Sequence, residues 1–338
     1  MSQATPLFSF GVGVGTRNAK GEWLEVFFPQ PLLRPDSGTV KDLLGLLGYA
    51  GGNQVLELNA GQRQALSRFA EPYATLSTAT RPLVAVVLAE DKAPESVGEA
   101  YLKLHLLSHR LVKPHGVNLT GVFKVLPNVA WTNRGAVDLS ELPTVQLACR
   151  ARGEPLLVHM VDKFPRLTDY VVPSGVRIAD TARVRLGAYL GAGTTIMQEG
   201  FVNFNAGTEG PNMVEGRISA GVFVDAGTDL GGGCSTMGTL SGGGNEVLSL
   251  GKRCLIGANA GIGIALGDDC TVESGLYVTA ASKVRILGRD GQVVKSMKAR
   301  ELSGRSGLLF RRNSETGAIE CLPNKQAIAL NEDLHSNN

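Results

Sequence analysis

The sequence predicts a mainly β protein: a left-handed parallel β-helix of hexapeptide repeats, with an α/β domain before it and a short C-terminal extension after it. About half of the 43 glycines lie between positions 176 and 284, where the one proline is Pro211. Aliphatic residues recur there at every sixth position, a period that fits neither a helix nor a single amphipathic strand. The predicted domains are an α/β domain at 1–170, the β-helix at 171–285, and a basic extension with a polar tail at 286–338.

The six-residue repeat predicts the shape of each coil. Its inward positions are Ile178, Val184, Leu190, Ile196, Val202, Ile218, Val224, Leu230, Leu250, Ile256, Ile262, Leu266, Val272, Val278 and Val284. Three hexads make one triangular coil, in which each side is a short strand and each corner a tight turn. Small or turn-forming residues follow the aliphatic positions, as such corners require. A Gly-rich linker, the alternative, would not keep aliphatic residues in register for so long.

The register fails at two places, and we expect function there. The stretches that contain the failures are Asn203–Arg217 and Gly231–Val247. Repeat scaffolds carry function on loops that leave the regular coil. We therefore expect an extruded functional loop in each stretch. A smaller slip between Ile262 and Leu266 predicts a bulge or a local adjustment.

The residues before the repeat mix strand and helix patterns. LFSFGVGVGT and WLEVFF alternate apolar residues and predict a hairpin that turns near Asn18–Gly21. Helical spacing in TVKDLLGLLGY, AGQRQALSRFAE and ESVGEAYLKLHLLSHRLV predicts helices, the last of them amphipathic, and RPLVAVVLAE predicts a buried strand. The first glycines are spaced GxGxG with no helix after them, so a hairpin strand is favoured over a dinucleotide-binding loop. Leu139–Phe164 predicts a further strand and a helix.

Composition excludes several classes of function. The formal net charge is +2, so the chain is no general polyanion binder and we expect no nucleic-acid partner. Five cysteines without metal-ligand spacing predict reduced structural thiols. No apolar run approaches the roughly 20 residues of a membrane span, and the N-terminus lacks a signal-peptide pattern. We expect a cytoplasmic protein with small-molecule substrates and no membrane partner.

The chain becomes basic after Val284. Lys298, Arg311 and Arg312 lie within KARELSGRSGLLFRRNS, where small residues and hydroxyl groups accompany the cations. Phosphate recognition uses this combination. A solvated basic surface is the alternative.

The histidine distribution limits the chemistry of the coil, because no histidine lies between positions 160 and 334. Metal-dependent hydratases of the carbonic-anhydrase type need histidine ligands on the coil, so that class is excluded. A histidine general base is likewise absent from the coil. Carboxylates remain, and Glu215 is the strongest candidate because the repeat resumes just after it, at Ile218. From position alone, a structural role for Glu215 is equally compatible.

Four blocks carry a resemblance to a known family: QEGFVNFNAGTEGPNMVEGRIS, GGGCSTMGTLSGGG, GKRCLIGANAGIGIALGDDCTVESGLYVTA and KARELSGRSGLLFRRNS. Over residues 170–318 the chain resembles the longer form of 2,3,4,5-tetrahydropyridine-2,6-dicarboxylate (tetrahydrodipicolinate) N-succinyltransferase, a hexapeptide-repeat acyltransferase. The resemblance implies a homotrimer with active sites between adjacent coils. It also implies that succinyl-CoA is the co-substrate, in the succinylase branch of lysine and diaminopimelate synthesis.

The resemblance further implies roles for residues that match the family's motifs. Glu215 in MVEGRIS matches a catalytic glutamate assigned an acyl-anhydride intermediate, and its role as nucleophile or general base stays open. The residues implied to contact succinyl-CoA are Arg217, Gly232, Ser235, Ala258, Glu273, Ser274, Lys298, Arg311 and Ser314. A magnesium ion on the trimer axis is implied, with Glu199 as one ligand. Near the second ligand's place this chain has Ala182, and Asp180 is the acid it offers.

Two other functions stay open. The first is an N-acetyltransferase that acts on the same acceptor. Arg217 argues against it, because the distal carboxylate of a succinyl group needs a cation. The second is a trimeric coil that serves as a scaffold without catalysis.

Overall fold

The computed structural model describes residues 7–238, 247–288 and 290–324. These form two compact units: the first extends to Val112 and includes Gly116–Pro165, and the second comprises Lys113–His115 and the described residues from Arg166 onward. The boundaries expected at 170 and 285 stay predictions. No helix in the described part of the chain is long and apolar enough to cross a membrane.

The first unit is built around an antiparallel sheet and four helices. These elements are β1 (Ser9–Arg17), β2 (Trp23–Phe27), β3 (Leu32–Leu33), α1 (Ser37–Leu47), β4 (Gln54–Glu57), α2 (Ala60–Ala65), α3 (Tyr73–Leu76), β5 (Leu83–Leu88) and α4 (Val97–Ser108). The strand order is β2-β1-β5-β4, and β3 also pairs with β1. The predicted hairpin is confirmed, since β1 and β2 pair from Val14↔Phe27 to Arg17↔Trp23. The predicted strand β5 is buried along its whole length.

The GxGxG spacing has a packing role in β1. A Cβ at Gly13 would lie 2.7 Å from the carbonyl oxygen of Phe27, and one at Gly11 would lie 2.8 Å from the ring of Phe28. Both distances are far below van der Waals contact. The glycines therefore let the hairpin partner approach closely, as the hairpin-strand interpretation predicted.

Helix α4 is more buried than an amphipathic helix should be. It begins after Ser96, whose Oγ accepts the N–H of Glu99 at 3.2 Å. Every residue from Gly98 to Ser108 is buried. Lys103 tolerates this environment because its ammonium group forms an ion pair with Asp91 at 2.5 Å. The predicted helix is confirmed, but it does not have the solvent-facing polar side that was expected. Its polar side chains are buried within the unit.

A smaller sheet completes the first unit. Its elements are α5 (Val122–Val125), β6 (Val129–Thr132), β7 (Gly135–Asp138), α6 (Leu142–Ala151) and β8 (Val158–Asp162), with strand order β7-β6-β8. The strand and helix predicted within Leu139–Phe164 are thus confirmed as β8 and α6.

The second unit contains the left-handed β-helix. Its short strands are β9 (Arg177–Ile178), β10 (Tyr189–Leu190), β11 (Thr194–Ile196), β12 (Phe201–Val202), β13 (Gly207–Thr208), β14 (Asn212–Val214), β15 (Arg217–Ile218), β16 (Phe223–Val224), β17 (Asp229–Leu230), β18 (Ser235–Thr236), β19 (Ser249–Leu250), β20 (Leu255–Ile256), β21 (Gly261–Ile262), β22 (Thr271–Val272) and β23 (Tyr277–Val278). They stack in parallel on three faces. The first face is β9-β11-β14-β17-β20-β22, the second β12-β15-β18-β21-β23 and the third β10-β13-β16-β19.

The inward residues form the core of the coil. On the first face Ile196, Val214, Leu230, Ile256 and Val272 are aligned one coil apart, and each exposes at most 1% of its surface. Burial of such a side chain stabilises the fold by about 1.5–3 kcal/mol. The aliphatic residues of the six-residue repeat are therefore the residues that form the core.

The loop predicted at Asn203–Arg217 is wrong. Thr208 and Val214 lie there at inward positions, in register with the neighbouring coils. Thr208 interrupts the series of aliphatic residues, and its buried hydroxyl is bonded to that of Thr194 at 2.8 Å. Threonine has the shape of valine, so a paired threonine fills a core position. The true irregularity is the shortened step from Val214 to Ile218.

The second predicted loop is also shorter than expected. Thr236 is buried at the inward position after Leu230, and its hydroxyl donates to the carbonyl oxygen of Arg217 at 3.0 Å. Regular coil thus extends through β18, and the insertion begins after it. Positions 239–246 of the predicted loop lie outside the described residues.

The C-terminal extension continues the coil. Its strands are β24 (Lys283–Leu287), β25 (Val293–Lys298), β26 (Leu308–Arg312) and β27 (Ile319–Pro323). They add to the first face in the order β25-β24-β27-β26-β22. Phe310 is fully buried beside Val272 and forms the next inward layer. The predicted polar tail at 325–338 lies outside the described residues.

Candidate active site

The shortened corner of the coil presents Glu215. From Val214 on the first face to Ile218 on the second the chain takes a step of four residues, where a regular corner takes six. The backbone of Glu215 is held by the next coil: its N–H donates to Leu230 at 2.8 Å, and its carbonyl oxygen accepts from Gly233 at 3.2 Å. The side chain is half-buried, and its carboxylate forms no hydrogen bond or ion pair with any residue that the structure describes. The backbone therefore fixes the position of Glu215, and its carboxylate oxygens can accept hydrogen bonds from a ligand.

Three successive glycines lie on the coil that follows Glu215. A Cβ at Gly231 would lie 2.8 Å from the backbone nitrogen of Ala258, and Gly233 has a φ of +68°. Both positions therefore need glycine. A Cβ at Gly232 would meet only the Oε2 of Glu215, at 3.6 Å. Glycine at this position keeps the space before the carboxylate open.

Arg217 carries the positive charge nearest in sequence to Glu215. Its Nη2 donates to the Oγ of Ser235 at 3.0 Å, and the two residues are paired across β15 and β18. Ser235 is buried, whereas Arg217 is exposed. A guanidinium group held in this way can bind a carboxylate with two hydrogen bonds.

Cys234 lies at the same corner, and its thiol stays protonated. A Cβ at Gly216 would overlap its Sγ, so the thiol packs directly against the backbone of the corner. Burial raises the pKa of Cys234 to about 12; the charge of Arg217 opposes this rise and that of Glu215 adds to it. Only a thiolate is a strong nucleophile. Cys234 is therefore unreactive at neutral pH, and Glu215 is the group at this corner that can accept a proton or attack a carbonyl.

A cavity of about 510 Å³ opens beside the corner. It is lined by Arg183, Glu199, Phe201, Gly216, Arg217, Gly233 and Cys234. Arg183 and Phe201 were not among the predicted site residues. Arg183 donates from Nη1 to the carbonyl oxygen of Glu199 at 3.4 Å. Arg183 precedes the inward Val184, and the six-residue repeat carries no signal that its side chain lines a cavity.

Further predicted residues follow the edge where the first face passes into the second. Ala258 and Ser274 are exposed at successive corners of this edge. Glu273 accepts the backbone N–H of Arg312 at 2.6 Å, which joins the corner to the C-terminal extension. Strands of a sheet lie about 4.8 Å apart, so the steps from β14 through β17, β20 and β22 to β26 span about 19 Å.

The last predicted contacts lie in the C-terminal extension. Arg311 is exposed on β26 and forms an ion pair with Glu320 at 2.9 Å, and Ser314 is exposed just beyond that strand. Lys298 lies at the end of β25, opposite Lys283 on β24. The structure therefore places Arg311 and Ser314 where β26 continues the edge, and Lys298 on a strand of the same sheet away from it.

The two residues predicted to bind magnesium do not form a metal site within one chain. Asp180 accepts the N–H of Ala182 at 3.0 Å and lies 3.5 Å from the guanidinium of Arg183. Arg183 also places a positive charge in the cavity that Glu199 lines. No group of three or more His, Cys, Asp or Glu residues that could hold a metal ion occurs in the described ranges. A site on a trimer axis would take its ligands from three copies of the chain, so magnesium binding by Glu199 and Asp180 stays a prediction.

Family models match three segments of the chain. Residues 64–124 match the model "Tetrahydrodipicolinate N-succinyltransferase N-terminal", and residues 126–166 match "Tetrahydrodipicolinate N-succinyltransferase middle". Residues 247–280 match "Hexapeptide repeat of succinyl-transferase". The matches thus include parts of both compact units.

Named relatives match over nearly the whole chain. A 2,3,4,5-tetrahydropyridine-2,6-dicarboxylate N-succinyltransferase of Pseudomonas aeruginosa is 62% identical over 100% of both chains. That of Vibrio cholerae is 56% identical over 98% of this chain and 99% of its own. A Campylobacter jejuni crystal structure described as a 2,3,4,5-tetrahydropyridine-2-carboxylate N-succinyltransferase has a TM-score of 0.88 and 34% identity, over 96% of this chain and 94% of the other. This chain therefore belongs to the tetrahydrodipicolinate N-succinyltransferase family.

Proposed function

We propose that the protein transfers the succinyl group of succinyl-CoA to the amino group of tetrahydrodipicolinate. Uptake of water opens the ring, so the products are N-succinyl-2-amino-6-oxopimelate and CoA, in the succinylase branch of lysine and diaminopimelate synthesis. The observation that carries the proposal is the shortened corner, which holds the Glu215 carboxylate near the open Gly232. Membership of an N-succinyltransferase family supports the same reaction.

Glu215 can act either as a general base or as a nucleophile, and atoms and charges balance in both routes. As a general base it takes the proton of the amine while the nitrogen attacks the thioester carbonyl, and CoA leaves as a thiolate. As a nucleophile it attacks that carbonyl itself, forms an acyl anhydride and releases CoA as a thiolate. The amine then attacks the succinyl carbonyl of the anhydride, the Glu215 carboxylate leaves, and the amine proton passes to the thiolate or to water. Arg217 binds the distal carboxylate of the succinyl group. Gly232 and Ser235 line the thioester end.

The coenzyme arm follows the edge of the coil. Ala258, Glu273, Ser274 and Lys298 contact its extended part, and Arg311 and Ser314 contact its distal end or phosphates. The exposure of Ala258 and Ser274 at successive corners supports this path. Flat corners of small residues let an extended ligand lie close to the backbone.

We further propose that the enzyme is a homotrimer in the cytoplasm. The match to hexapeptide repeats supports assembly, and homo-oligomers of soluble proteins mostly have closed symmetry. All five cysteines are free and buried, which suits a reducing compartment. No step of the proposed mechanism involves a metal.

Initial rates with two acyl donors test the proposal. With tetrahydrodipicolinate as acceptor, kcat/KM for succinyl-CoA should exceed that for acetyl-CoA by about 100-fold or more, because acetyl leaves the cation of Arg217 unpaired. Arg217→Ala should remove most of this preference. A preference of the wild type for acetyl-CoA would identify the protein as an N-acetyltransferase. If neither donor supports transfer, the non-catalytic scaffold becomes the favoured function.

A further inference from the structure

The C-terminal sheet places two lysines directly opposite each other. Strands β24 and β25 pair antiparallel with Lys283 and Lys298 in register. Opposite side chains in such a pair start about 5 Å apart at Cβ, and like charges there are destabilising. Both lysines are exposed, and neither forms an ion pair with another described residue. The repulsion between the two lysines lowers the stability of the fold, and an anion bound between them would remove this effect.

The same face of the sheet carries further cations. Val284, Met297, Phe310 and Cys321 pack against the core of the coil. Because strand side chains alternate, the residues next to them point away from the core: Lys283, Arg285, Ser296, Lys298, Arg311 and Glu320. In this sheet Arg285 pairs with Glu320, and Glu320 with Arg311. We call Lys283, Arg285, Lys298 and Arg311 the basic face.

The carboxylates near the basic face are already engaged. Glu320 exposes 5% of its surface, and it binds Arg311 at 2.9 Å and Asn313 at 2.8 Å. Glu301, which follows β25, accepts the backbone N–H of Lys298 at 2.9 Å. Four cations therefore share one buried carboxylate on the face itself, so a surplus of positive charge remains toward solvent.

We propose that Lys283 and Arg285 act with Lys298 and Arg311 to bind the phosphate groups of the acyl-CoA co-substrate. This inference rests on the proposed function and adds two residues to its binding site. A phosphate between the opposed lysines relieves their repulsion, and the guanidinium groups can bind phosphate oxygens with two hydrogen bonds each. The basic face thereby selects the phosphorylated form of the coenzyme.

Titration calorimetry with CoA and with 3′-dephospho-CoA tests this role. Lys283→Ala should weaken CoA binding by about tenfold, the size of one charge-assisted contact, and should reduce the preference for CoA over dephospho-CoA. Lys295→Ala is the matched control, because Lys295 is an exposed lysine of β25 that pairs with Ile286 on the opposite face. Lys295→Ala should leave both affinities within about twofold. Equal effects of the two variants, or no effect of Lys283→Ala, would overturn the proposal.

A second readout separates binding from folding. Removal of the like-charge repulsion should raise the Tm of Lys283→Ala slightly, whereas a structural lysine would lower it. Transfer by the wild type is measured in parallel. If the wild type transfers succinyl with a KM that Lys283→Ala does not change, this inference fails and the proposed function stands. If the basic face binds CoA but no succinyl is transferred, the proposed function fails instead.

Discussion

Single side chains in this protein are governed by whether their charge can be buried. Cys234 is a clear case, since burial raises the pKa of its thiol to about 12 and keeps it protonated at neutral pH. His105 in the first unit is a second case. It is fully buried, its Nδ1 lies 2.7 Å from the carbonyl oxygen of Tyr101, and its Nε2 accepts the N–H of Phe28 at 3.2 Å. Neutral imidazole satisfies both contacts, and imidazolium does not.

The buried His105 predicts acid sensitivity of the first unit. Burial, together with the nearby His109, lowers the pKa of His105 from 6.5 to about 3, against a smaller opposing effect of its bond to Tyr101. The unfolded chain then binds one more proton between these values. The contribution of neutral His105 to the free energy of unfolding is fully present above pH 6.5. It falls by about 1.4 kcal/mol per pH unit as the pH drops toward 3.

Urea unfolding followed by tryptophan fluorescence measures this effect. Both tryptophans, Trp23 and Trp131, lie in the first unit, so the signal reports on it. His105→Gln should flatten the dependence between pH 6.5 and 5, and His109→Gln should flatten it less, because burial also lowers the pKa of His109 but its imidazole is less buried. An unchanged slope in His105→Gln would contradict the account.

The sequence indicated some residues of the candidate site and not others, for a physical reason. Glu215 and Arg217 could be found because they lie together in one short motif at a change of register. Arg183 and Lys283 could not, because the cavity beside Arg183 and the lysine opposite Lys283 are formed by residues that are distant in the sequence. A cavity wall or an opposed pair depends on which coils are aligned, and the local sequence does not specify that alignment.

At the scale of the coil, the inward positions tolerate polar residues when these are paired. Thr194 and Thr208 expose at most 1% of their surfaces, and their hydroxyl groups are bonded to each other. The aliphatic repeat therefore predicts the coil, but it does not predict where the two irregular stretches begin. The six-residue period predicts the fold well. It predicts the ends of the regular coil poorly, because a buried threonine can occupy the place of a valine.

The threonine pair predicts a non-additive effect on stability. Thr208→Val should cost about 1–3 kcal/mol, because it leaves the buried hydroxyl of Thr194 without its partner. Thr194→Val with Thr208→Val should recover most of this loss, since two valines fill the same space. Thermal unfolding of the single and double variants checks it, and additive losses would contradict the pairing.

At the scale of the whole molecule, the coil carries its site on an open edge. Glu215 and Arg217 share one corner, and the exposed Ala258 and Ser274 continue away from it. An edge of this kind supplies one wall of a binding site. A neighbouring copy would supply the other wall, which is why we propose a trimer.

The trimer predicts a mass and a dependence on assembly. Light scattering should give about three times the 35.6 kDa of the chain. Dilution to the point of dissociation should reduce the specific activity together with the trimer fraction. A monomer with full activity would contradict a site shared between copies.

The central claim is that the carboxylate of Glu215 performs the transfer, and one measurement tests it most directly. CoA release from succinyl-CoA with tetrahydrodipicolinate is followed for the wild type and for Glu215→Gln, which keeps the size of the side chain and removes its charge. We expect kcat to fall by about a thousandfold or more, since the variant can neither take the proton nor attack the carbonyl, with the trimer and the Tm unchanged. Turnover within about tenfold of the wild type would contradict the role of Glu215.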